Sequence, residues 1–179
     1  MNKDLEIGIA YESVEDVLLK TLIRELEHGV QIINAVDDIA FRRIANNTGS
    51  IGAQFRHNLD FVGSLLKGVD IGRIDYNDRE RDVRAETDRP YAAGRFADLI
   101  GRLSELSPRI MAKNVLIRSE IDNDTWLPSS IAREVEFVHS HTVHHHALIA
   151  EKLAGFGVVV GENFGVAWST LEYWKKKAA

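Results

Sequence analysis

Four long stretches of this chain repeat apolar residues at helical spacing, bounded by capping and breaking residues. A helix with one apolar face must bury that face against other elements, so the pattern narrows the fold sharply. Val14, Val17, Leu18, Leu22, Leu26 and Ile32 mark the first stripe. Ser13 precedes it with Asp16 three residues on, which resembles a capping box, and the spacing predicts a helix to about Asn34. A short helical segment is expected over 37–45, then a loop and cap at Asn46-Asn47-Thr48-Gly49-Ser50. The second helix is expected from Ser50 to Lys67 on the stripe Ile51, Phe55, Leu59, Val62 and Leu66, with Gly68 as its stop. Residues 70–88 have no apolar period and read as a long surface loop. Pro90 then opens a third helix, capped by Thr87 or Asp88, on Phe96, Leu99, Ile100, Leu103 and Leu106, and Pro108 closes it. Val115-Leu116-Ile117 reads as a short strand or an extended link, and Asp122-Asn123-Asp124 as a turn. After Pro128, Ser129 or Ser130 caps a fourth helix to about Ala154, on Ile131, Val135, Val138, Thr142, Ile149 and Leu153. Gly155 and Gly157 end it, and a short helix is expected after Ser169. With no internal repeat, 179 residues of this kind predict one domain, 1–179: an all-α four-helix bundle with short accessory helices.

Composition removes several functions. The net charge is −5 and the one basic cluster is Lys175-Lys176-Lys177, so nucleic acid is not an expected partner. With no cysteine, disulfides, thiolate zinc sites and cysteine nucleophiles are excluded, and a reducing cytoplasm suits the chain. The segment Met1 to Glu6 is charged and lacks the apolar core of a signal peptide. No apolar run approaches the roughly 20 residues of a membrane helix, so no membrane partner is expected.

The chemistry lies in the histidines. There are seven, five of them between His139 and His146. His141 and His145 are four apart, which places both imidazoles on one helix face, the spacing by which a helix offers two nitrogens to one metal. On the helical wheel His145 lies within the apolar stripe and His141 on its flank. His144 points further round, and His139 and His146 point away. Buried imidazoles need partners, and either a shared metal or polar neighbours would serve. A third ligand must come from another helix, with His28, His57 and carboxylates as candidates. His57 lies nearly opposite the main stripe of its helix, beside Phe61 and bordering Leu65. Periodicity alone leaves it open between an exposed histidine and a second inward-facing strip.

The segment Ser50-Ile51-Gly52-Ala53-Gln54-Phe55-Arg56-His57-Asn58-Leu59-Asp60 resembles the second-helix motif of the DinB-like four-helix-bundle superfamily. Ser140-His141-Thr142-Val143-His144-His145-His146 resembles its last-helix motif, and Arg79 to Asp82 and Asn163 to Tyr173 resemble stretches of one branch. The resemblance runs from about residue 13 to 174. It implies a DinB-like bundle in which His57, His141 and His145 bind one divalent metal. Relatives often carry a second histidine four residues after the first, where this chain has Phe61.

Three histidines leave coordination positions open, as catalytic sites do. Such a metal lowers the pKa of bound water, polarises a carbonyl, or activates a low-molecular-weight thiol. Zinc or nickel is expected, with iron also permitted. Asp60 is a candidate partner for His57, and Glu134 a candidate acid–base group or hydrogen-bond partner. A solvated or capping carboxylate is the plainer reading of both. The resemblance implies a metal-dependent thiol transferase or hydrolase acting on a small-molecule substrate. The alternative is a non-catalytic bundle that binds a metal or ligand in a stress response. The resemblance also implies a homodimer through helix faces, to which His139, His146, Trp126, Trp168 and Trp174 could belong if they are not ordinary surface.

Overall fold

The computed structural model describes residues 13–44 and 49–178. Four long helices form the bundle: α1 (Val14–Ala35), α3 (Ile51–Ile71), α5 (Arg89–Ser104) and α6 (Ile131–Gly155). Each of α1 and α3 packs on both α5 and α6. Short helices α2 (Asp38–Arg42) and α4 (Arg84–Thr87) lie between them, and α7 (Trp168–Ala178) follows. The caps are local and fall where side-chain chemistry puts them. Ser13 accepts from the Asp16 amide at 3.2 Å, Ser50 from Ala53 at 3.0 Å, Asp88 from Tyr91 at 3.0 Å and Ser130 from Arg133 at 3.3 Å. Asn46, Asn47 and Thr48 of the expected loop lie outside the described residues.

The stripes of α3, α5 and α6 are buried at Phe55, Val62, Phe96, Leu103, Val135, Val138 and Ile149. The stripe of α1 begins later than its spacing suggests. Leu19, Leu22 and Leu26 are buried, but Val14 and Val17, in the first turn, are exposed. α3 is apolar on a second side as well, because Phe61 and Leu65 are also buried. A bundle helix touches two neighbours, and α3 has an inward strip for each.

The chain is not purely helical. β1 (Arg73–Ile74) pairs in parallel with β2 (Asn114–Arg118), which pairs antiparallel with β3 (Trp126–Ser130). The turn at Asp122 to Thr125 joins β2 to β3, and Pro128 lies within β3 opposite Leu116. The sheet also corrects the end of α3. Gly68 does not stop the helix. A Cβ there would run into Ile74, so its lack of a side chain lets β1 pack down on α3. The helix ends four residues on at Gly72, which takes the left-handed cap (φ 75°). Likewise 70–88 is only partly a loop, since it contains β1, the buried Tyr76 and α4. Pro108 does not end α5, which stops at Ser104, but opens a 3-10 turn, Pro108–Ala112.

β1 follows the end of α3 and β3 runs directly into α6, so the sheet fixes how the two antiparallel helices slide past each other. His57 lies about 14 residues before the end of α3 and His145 about 14 residues into α6. At 1.5 Å per residue both stand roughly 21 Å from the sheet. No helix among the described residues is long and apolar enough to cross a membrane.

Candidate metal centre

That register brings His57 from α3 against His141 and His145 from α6. The ring centroids are 5.0 Å apart for His57 and His141, 4.5 Å for His57 and His145, and 4.5 Å for His141 and His145. One nitrogen from each ring lies within 4.8 Å of the others, and all three residues are half-buried. The open question of His57 is thereby answered: it occupies the second inward strip of α3.

Burial is the main reason these imidazoles resist protonation. It pushes His57 down to about 4, with the neighbouring His145 and Arg79 charges adding to the effect. Burial and His57 bring His141 to about 4, and burial and His141 bring His145 to about 3. All three are therefore neutral at pH 7, the form that ligates a metal. Gln54, one turn before His57, accepts a 2.6 Å hydrogen bond from His145 Nδ1 through Oε1, which leaves the other ring nitrogen with its lone pair free. His141 Nδ1 is buried with no hydrogen-bond partner among the described residues. Neutral imidazoles, one of them unsatisfied, with a shared focus and no carboxylate in the group, are a donor set that fits one divalent ion.

An aromatic wall backs the site. Phe61 stacks on His141 with centroids 3.7 Å apart and an interplanar angle of 16°, and Tyr76 stacks behind Phe61 at 5.1 Å. Phe61 thus orients the His141 ring by packing. The carboxylates are placed differently from the ligands. Glu134 is 2% exposed; Oε2 accepts from Tyr76 Oη at 3.0 Å and Oε1 from Ser129 Oγ at 2.6 Å. It reaches the histidines through Tyr76, which packs on Phe61 and Phe137, both of them against His141. Burial and the Glu134 charge hold the Tyr76 phenol far above its usual range, so it stays a donor. Asp60 does not bond to His57. Its oxygens accept from Arg56 Nη1 at 2.7 Å and from the Arg81 amide at 2.9 Å, and Arg56 also bonds Glu86 at 2.9 Å. Gly52 of the second-helix motif permits this, because a Cβ there would collide with the Glu86 carbonyl.

The other histidines do not join the group. His144 is exposed. His146, expected to point away from the core, is fully buried against α1, with Nδ1 2.6 Å from Glu25 Oε1 and its ring stacked on Phe164 at 4.6 Å. It cannot belong to a dimer surface. Sequence reasoning missed Gln54, Arg79 and the pair Glu25–His146. Gln54 carried a signal in standing three residues before His57 on the same face, and Arg79 in heading the stretch to Asp82 that resembles one DinB-like branch, though no role was read from either.

The fold is similar to that of a DinB-like protein of known structure. The crystal structure of a DinB-like protein from Bacillus cereus superposes on 84% of this chain and 97% of its own, with a TM-score of 0.59 and 16% identity, which establishes shared fold alone. An FK506-binding protein 5 of Rhizopus delemar is 28% identical over 138 residues, 75% of this chain, so this chain spans only 35% of that protein's length. No family model matches the chain.

Proposed function

We propose that the chain is a metal-dependent enzyme acting on a small molecule, either a thiol transferase using a low-molecular-weight thiol or a hydrolase. The observation that carries this reading is the convergence of three neutral imidazoles from two helices, with no protein carboxylate to complete the set. When bound, a divalent ion supplies Lewis acidity that lowers the pKa of a water or thiol and polarises a carbonyl. Zinc and nickel suit such donors best, and iron is compatible. The chain's own groups do the rest. His57, His141 and His145 hold the ion, Gln54 fixes the His145 tautomer, and Phe61 packs against His141 and excludes water from that side. Glu134 serves as a positioning residue that holds Tyr76 behind Phe61. The same proposal includes a homodimer, for which the exposed Val14, Val17, Trp168 and Trp174 offer apolar surface.

Two measurements test it: the metal content of protein purified without a nickel column, and turnover of model electrophiles with and without small thiols. One divalent ion per chain is expected, with His145→Ala losing both ion and turnover. Equal rates in the two proteins would sink the enzyme. Tight metal uptake without turnover would instead favour the non-catalytic binding role.

A further inference from the structure

The charged loop after β1 holds a cation that the metal centre does not explain. Its other charged groups are mostly paired within the protein: Asp75 with Arg118 at 2.8 Å, Asp78 with Lys67 at 3.0 Å, and Glu80 and Asp82 with Arg95 at 2.7 and 3.0 Å. Arg79 has no carboxylate in salt-bridge range among the described residues, and its Nε is buried with no hydrogen-bond partner. Its Nη1 lies 3.5 Å from His57 Nδ1, and its Cζ stands 5.6 Å from the centre of the Phe61 ring that stacks on His141. At 3.5 Å the contact with His57 is at the long limit of hydrogen bonding, so it marks a position more than a strong bond.

The loop is built to keep the guanidinium there. Two residues on, Arg81 takes a left-handed backbone (φ 50°), unfavourable for a residue with a Cβ, and its amide donates to the buried Asp60 of α3. The result is a fixed positive charge beside three imidazoles already arranged for a cation. A divalent ion and a guanidinium repel each other, and no acidic side chain belongs to the histidine group. Asp60, the nearest acid in sequence, is already bonded to Arg56 and Arg81. The missing negative charge has to arrive with the ligand.

We infer that the molecule taken at this site is a small organic acid, its carboxylate held by Arg79 while its reacting end faces His57, His141 and His145. This rests on the metal-centre reading above and names the substrate class for it. A guanidinium presents a planar fork that matches a carboxylate, and the buried Nε is one prong of that fork. A single arginine against an aromatic wall suits a monoanion better than a phosphate dianion, which usually gathers several donors.

The test uses cobalt(II)-loaded protein titrated with 3-mercaptopropionate and with 3-mercapto-1-propanol, read by thiolate-to-cobalt absorption. The two probes share a thiol and differ in the carboxylate. The wild type and Arg109→Gln, a control at an exposed arginine outside the loop, should bind the acid about tenfold or more tightly than the alcohol. Arg79→Gln should bring that preference close to one, and Arg79→Lys, which keeps charge but not the fork, should fall between. Because the metal alone attracts any anion, only loss of preference at Arg79 supports the inference. An unchanged preference in both Arg79 variants, no preference in the wild type, or no cobalt response to either probe would overturn it. Tighter Arg79-dependent binding of inorganic phosphate would overturn the carboxylate class. Failure to take up cobalt at all would show that the metal reading had failed first.

Discussion

Helix α6 carries two histidine environments back to back. On the side facing α3, His141 and His145 meet His57, and no acid joins them. On the side facing α1, His146 meets the Glu25 carboxylate at 2.6 Å and is sealed by Phe164, Phe55 and Gly29, where a Cβ would come within 3.0 Å of Nε2. His145 and His146 are adjacent in the chain, so sequence position does not separate their roles; what faces them does. The α1 side brings a counter-group for His146 Nδ1 and packs closely round the ring, with Nε2 left unpartnered among the described residues. The α3 side gathers like groups; Gln54 serves His145 Nδ1, but the buried His141 Nδ1 has no partner among the described residues. His146 therefore reads as a packed histidine held by a carboxylate, and the other three as a site because their nitrogens share one focus.

Acid should separate the two sides most strongly. Histidines in the unfolded chain titrate near 6.5, while those of the triad titrate at about 4, 4 and 3 in the fold. Between these values the unfolded chain binds more protons, so the metal-free protein should lose stability as the pH falls from about 6.5 toward 4. Glu25 behaves otherwise. Burial works to raise its pKa, but the hydrogen bond and charge of His146 outweigh it and hold the carboxyl below its usual value of 4.5. Its contribution is complete above that value and is lost only as the pH falls through the lowered one. Denaturant melts of metal-free protein across this range should show the earlier loss, and bound metal should suppress it. Stability that is flat down to about pH 5 would break the comparison.

Removing one member of the closed pair should have the next largest effect. His146→Ala empties a fully buried site and takes from Glu25 its 2.6 Å partner, leaving His28 at 3.6 Å, at a cost of about 3 kcal/mol in unfolding free energy. Urea unfolding measures the loss, and a metal titration of the same variant should give wild-type affinity. If affinity falls along with stability, the two faces of α6 are coupled and do not have separate roles.

The contrast also shows what was legible from residues alone. Caps at Ser13, Asp88 and Ser130 were readable because each depends on one side chain and an amide three residues on. His141 and His145 were readable because both lie on one helix. His146 was not. A wheel assigns one inward face, whereas α6 touches α3 on one side and α1 on another. His57 failed the same way, and only resemblance pointed to it. Residues whose roles come from tertiary register, such as Gln54, Arg79 and the two-residue β1, leave almost no periodic trace.

Gln54 gives the smallest and most specific test. Its side chain neither ligates nor packs the core, yet Oε1 at 2.6 Å accepts the Nδ1 proton of His145. That bond selects one tautomer and holds the ring, leaving the other nitrogen its lone pair. Gln54→Ala leaves the three ligands in place but frees the ring to turn and to change tautomer, and metal affinity should fall about tenfold, close to 1.4 kcal/mol. Gln54→Glu keeps an acceptor in the same position and should recover that loss, which a mere packing defect would not do. Competition with a chromogenic chelator reads both variants. Should Gln54→Ala bind metal as well as the wild type, the α3 side would owe its geometry to helix packing alone. The difference between the two faces would then lie in which residues meet, with no protein partner needed to orient them.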